Sequence, residues 1–98
     1  VGNSIQSARF LIESRLHDAA GGNWQALYDL GVAYSCGISG VDVDLIEAHK
    51  WFNLAALNGS EEAQVSRAEI AEEMTAREIA EAQRQARAWL SANSRRAA

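Results

Sequence analysis

The chain has 98 residues, enough for one domain with one modest core, and 48% of them are apolar, which excludes a disordered segment. A net charge of −4 gives little electrostatic reason to approach phosphates, so nucleic acid is not an expected partner. No apolar run is long enough to span a bilayer, and the segment is expected to be soluble without membrane insertion.

Proline is absent, while alanine, glutamate, leucine and arginine are plentiful, a mixture that favours long helices. The first predicted helix covers residues 4–21 and places Ile5, Ala8, Ile12, Leu16 and Ala19 on one face, with Gly21-Gly22 as its stop. Asn23 is the expected N-cap of a second helix running to about Ser35. Its stripe is Trp24, Leu27, Gly31 and Tyr34, with Leu30 alongside. A glycine at position 31 costs about 1 kcal/mol relative to alanine, and close approach of a neighbouring helix is the expected return.

Residues 36–43 read as a loop with two glycines, in which Val41 is expected to anchor. Asp44 with Glu47 makes a capping-box pattern at the start of a third helix, whose stripe of Leu45, Ala48, Trp51, Phe52, Leu54, Ala55 and Ala56 is wide enough for packing on two sides. Gly59 ends it. Ser60 caps a fourth helix with Ala63, Arg67 or Ala68, Ala71 and Met74 inside. Thr75 with Glu78 is a second capping box and opens a fifth helix with Ile79, Ala82, Ala86, Trp89 and Leu90 inside, fraying from Ser94.

The chain also repeats. Gly22 and Gly59, Ala26 and Ala63, and Ala19 and Ala56 all stand 37 residues apart, as do the helix-opening residues Asn23 and Ser60. A period of this size marks stacked helical hairpins. Within one unit, Ala26, Leu30-Gly31, Tyr34, Gly37, Gly40-Val41, Asp44, Ala48, Trp51-Phe52, Ala55-Ala56 and Gly59 form the pattern A-x3-LG-x2-Y, GV-x2-D, A-x2-WF-x2-AA-x2-G. This unit resembles a Sel1-like repeat, a relative of the tetratricopeptide repeat. The loop before Val41 is one residue longer than that family's usual spacing, and residues 60–93 lack the Leu-Gly and Tyr signature.

The resemblance implies an all-α, right-handed superhelical solenoid of antiparallel hairpins with about five helices. It divides a single domain, 1–98, into an N-terminal helix at 4–21, a well-matched repeat at 22–59 and a degenerate closing pair at 60–93. It also implies a module that binds another protein. In such solenoids the first helix of each hairpin lines the concave surface, here Gln25, Tyr28, Val32 and Ser35, and at the offset of 37 Glu62, Val65, Glu69 and Glu72. Tyr28, Val32 and Val65 are expected as exposed apolar contacts, and the carboxylates suit a peptide or helix bearing basic residues. The alternative is self-association, or stacking within a longer repeat array, through an exposed apolar end at Ile5, Phe10 and Leu11. A chain that opens on Val1 fits either a processed protein or a piece of a longer one.

Chemistry is not expected. His17 and His49 fall in no metal-ligand or base–orienter pattern, and both read as partly exposed structural residues. Cys36, the one cysteine, excludes an intrachain disulfide and reads as a small packing residue at a helix C-terminus, where the dipole does not activate a thiol. Gly37 and Gly40 follow no strand and precede no Gly-Lys-Ser/Thr, so they form no phosphate loop. Catalytic residues, metal and cofactor are accordingly all expected to be absent. Trp51 and Trp89 read as packing residues, whereas Trp24 is open to either packing or ligand stacking.

Overall fold

In the computed structural model, which describes residues 2–97 and the side chains of residues 10–93, the chain forms five helices. They are α1 (Gly2–Ala20), α2 (Trp24–Cys36), α3 (Leu45–Leu57), α4 (Glu61–Ala71) and α5 (Ala76–Ala97). There is no strand among the described residues. The molecule measures 38 × 37 × 22 Å, and the short dimension equals two helices stacked at about 10 Å each. α3 is the centre: α2, α4 and α5 all pack on it, while α1 packs on α2.

The repeat read from the sequence is a repeat of helix-ending geometry. At the end of α1, the Asn23 amide donates to the Asp18 carbonyl and the Gly22 amide to that of Ala19. At the end of α3, the Ser60 amide donates to Ala55 and the Gly59 amide to Ala56. These are two Schellman motifs 37 residues apart, each of which needs a left-handed residue, and Gly22 and Gly59 supply it at φ 91° and 100°. Each is followed directly by an N-cap. Asn23 Oδ1 accepts from the amides of Gln25 and Ala26, and Ser60 Oγ accepts from that of Ala63.

Packing at the α2–α3 contact explains Gly31. A Cβ at this position would lie 2.5 Å from the Phe52 ring, which is itself buried, so only glycine lets the two helices close to this distance. Around it lie Leu27, Leu30, Trp51, Leu54 and Ala55, with Ala19 entering from α1, Ala63 from α4 and Ala86 from α5. Trp51 meets Trp89 edge to face at 5.8 Å and so joins α3 to α5.

Several expectations need correction. Leu16 is exposed on α1, which packs chiefly on α2; the side chains of Ile5 and Ala8 lie outside the described ones. On α4 the inward residues are Ala63 and Ile70, with Arg67 half-buried and Ala68 exposed; Ile70 was not anticipated. Leu90 is more exposed than an inner residue. Val41 is half-buried but is not part of the core. α5 continues through Ser94 to Ala97.

The two capping boxes also differ. Thr75 and Glu78 bond reciprocally, at 2.8 and 3.1 Å. Asp44 accepts from the Glu47 amide at 3.1 Å, but the return bond is not made: the Asp44 amide donates to the Tyr34 carbonyl, and the Glu47 carboxylate accepts from Lys50 Nζ and Trp51 Nε1. A buried indole N–H needs an acceptor, and Glu47 is drawn to it.

Candidate functional site

The eight residues read as a partner-binding face fall into two groups with different environments. On α4 and its C-cap residue Glu72, the positions Glu62, Val65, Glu69 and Glu72 are all exposed, spaced to share one side of the helix, and Val65 is 58% exposed. This side points away from α3, because Ala63, Arg67 and Ile70 occupy the inward one. Among the described residues none of the three carboxylates has a hydrogen-bond or ion-pair partner on another side chain, so they face solvent as a single-sign stripe.

On α2 the outcome is mixed. Gln25 is exposed and donates to Asp29 at 3.0 Å. Tyr28 is half-buried with its ring 5.5 Å from that of Phe52, and Val32 is half-buried against the core, so neither is the open apolar contact expected. Ser35 is half-buried with its Oγ donating to the Val32 carbonyl. Tyr28 is covered by Phe52 of α3, and Val32 by α1, which packs against the side of α2 that carries Asp29, Val32 and Ala33. Arg15 reaches Asp29 across this seam at 3.2 Å, beside a cavity of about 200 Å³ that Leu11, Val32 and Ile38 also line.

The two groups meet at one end. α2 and α4 are not packed side by side along their lengths, since each lies on α3. Their first turns, however, share an open cleft of about 340 Å³ lined by Trp24, Gly59, Ser60, Glu61 and Glu62. Trp24 is 44% exposed there, which resolves its role towards the surface. The signal was in the sequence: Trp24 and Glu61 stand 37 residues apart, each just after an N-cap, so equivalent hairpins set them at the same end.

The other residues weighed for chemistry can also be placed. His49 is buried, not partly exposed, with its Nδ1 lacking a partner; its burial and the nearby Arg67 charge hold its pKa below 6.5. His17 is exposed. Cys36 is exposed instead of packed, and its Sγ lies 3.6 Å from Ser35 Oγ. Burial, then Glu47 and Asp44, push the Tyr34 phenol above 10.0. On α5, Glu81 is held down to about 2 by the Arg84 and Gln85 side chains that donate to it. No cluster of His, Cys, Asp and Glu suited to a metal ion occurs among the described residues, and no helix there is long and apolar enough to cross a membrane.

The sequence pattern of the Sel1 repeat family matches residues 24–60, which are α2, the loop, α3 and the Ser60 cap. Residues 24–60 are a Sel1-like repeat. No curated protein and no solved structure matches it. The matched span begins one residue after the Asn23 cap and ends on the next cap, so it is one structural period. Sel1 repeats are in general protein-interaction modules, typically scaffolds without catalytic activity.

Proposed function

We propose that this chain is an adaptor module that binds a partner protein on the outward face of α4 and the adjoining first turn of α2, and that the partner presents basic side chains. The observation that carries this reading is the exposed stripe of Glu62, Val65, Glu69 and Glu72, which runs from the cleft where Trp24 is also exposed. An apolar centre flanked by carboxylates of one sign offers contact area together with selectivity for positive charge. Gln25 borders this surface. Tyr28, Val32 and Ser35 contribute by holding α2 in place, since they are partly packed. The repeat at 22–59 then serves as the platform and the pair at 60–93 as the side that presents the acidic stripe.

The test compares wild type with Val65→Asp and with the triple variant Glu62→Lys/Glu69→Lys/Glu72→Lys, each checked for native helicity by circular dichroism. A partner recovered with wild type should be lost with both variants. Equal recovery by all three would remove this face from the reading. Tyr28→Ala and Val32→Asp are poor probes, because both would disturb packing as well as contact.

A second reading is favoured by α1, where Phe10 is 69% and Leu11 44% exposed. These side chains suit stacking against another copy or a further repeat; Ile5, the third residue of that expected patch, lies outside the described side chains. Light scattering across a concentration series separates the two readings, since a monomer at all concentrations excludes self-association.

A further inference from the structure

His49 is 3% exposed, and its Nδ1 is buried without a hydrogen-bond partner. Asn53, one turn along the same side of α3, accepts a hydrogen bond from the Arg67 guanidinium of α4. His49 and Asn53 thus lie on the side of α3 that Arg67 of α4 approaches.

The charges on every helix packed against α3 define what the imidazole meets. From α4, the Arg67 cation acts on it. On α2, Asp29 is engaged by Arg15 of α1. At the start of α5, Glu78 accepts from the Thr75 amide and Glu81 from Arg84 and Gln85. On α3 itself, Glu47 accepts from Lys50 and Trp51. The carboxylates of α2, α3 and α5 that could neutralise an imidazolium are therefore engaged elsewhere, and those of α4 are exposed.

A neutral imidazole fits this setting, with Nδ1 as a bare acceptor. An imidazolium would place an N–H where no acceptor stands and a positive charge in buried ground beside Arg67. We infer that His49 is an acid-sensitive latch: neutral, it lets α4 close on α3, and on protonation it repels Arg67 and releases α4. The contacts behind this inference are independent of the proposed binding face, so either can fail without the other.

The direction follows from proton binding. With its pKa held below 6.5 in the closed form, the ring takes up a proton more readily once α4 has moved away. Above about pH 6.5 the latch has no effect. Below it, the ratio of closed to open molecules falls by up to about tenfold per pH unit, until the pKa of the closed form is reached.

Urea unfolding of the whole chain between pH 7.5 and pH 5.5 tests this, with wild type compared with His49→Gln. The folding constant of wild type should fall by up to about tenfold over the last unit while that of the variant stays level; His17, present in both, cancels. The same pH slope in both proteins would overturn the latch. Should the variant not fold, NMR of wild type decides: the His49 ring should titrate below 6.5, with α4 resonances shifting in step. Titration at or above 6.5, or α4 unmoved by it, would overturn it equally.

Discussion

α2–α3 and α4–α5 are successive helix pairs of the same chain, yet they are held differently: α2 and α3 pack on each other, whereas α4 and α5 each pack on α3. The first buries large side chains, Leu27, Leu30, Trp51, Phe52 and Leu54, around a glycine that permits close approach. Among the described residues the second fully buries only alanines, Ala63, Ala82 and Ala86, and rests on partly buried Ile70 and Trp89. Its ends are fixed by the Ser60 cap and the reciprocal Thr75–Glu78 box. A small-residue face docks on a neighbour but gains little apolar burial by itself, so the closing pair depends on α3 while α3 carries the core.

Truncating the centre should have the largest effect. Phe52→Ala removes a ring that meets both Gly31 and Tyr28 and should cost about 3–5 kcal/mol by denaturant unfolding, reaching the whole chain. Trp89→Ala should cost a similar total, but hydrogen exchange should show the loss concentrated in α4 and α5. Uniform loss of protection would erase the contrast between the helix pairs.

Gly31→Ala comes next. Helix propensity alone predicts a gain of about 1 kcal/mol, whereas the clash with the Phe52 ring predicts a net loss of about 1–3 kcal/mol. Thermal unfolding gives the sign, and a stabilised variant would show that the helices can separate at little cost.

Cap removal is smaller. Thr75→Ala should cost about 1 kcal/mol, and its effect should appear first in α5. Asp44→Ala should cost about as much at α3, but any difference should be buffered by the Tyr34 carbonyl, which still holds the amide of residue 44.

The smallest effect belongs to Glu81. Its depressed pKa, about 2, arises from Arg84 and Gln85 on a solvent-exposed stretch of α5. The bonds that lower it favour the folded form above the ordinary carboxylate range, and this advantage fades as pH falls towards 2. Carboxylate NMR should find Glu81 titrating well below the ordinary carboxylate range, while Glu81→Gln leaves the neutral-pH midpoint almost unmoved.

Local chemistry made most of the fold legible. Asn23, Ser60 and Thr75 cap helices as their side chains dictate, and Gly22 and Gly59 end them because the following turn needs positive φ. The spacing of Gly31 announced a close neighbour, though not that Phe52 would be the residue filling the gap. Long-range geometry was less legible. Periodicity placed Val32 on the outward side of α2 but could not show that α1 lies against it. His49 gave no local sign of burial, because that depends on the helices that pack on α3 from elsewhere in the chain. At the candidate site, the α4 stripe stands as expected in exposure, and the α2 half is the part that tertiary packing altered.

The central claim is that the outward face of α4 meets the partner. A photo-crosslinking amino acid at position 65, compared with one at the exposed Gln83 of α5, tests it directly. The account predicts a covalent adduct with a partner protein from position 65 and none from position 83. An adduct from position 83 alone would place the interaction on α5 and contradict the account.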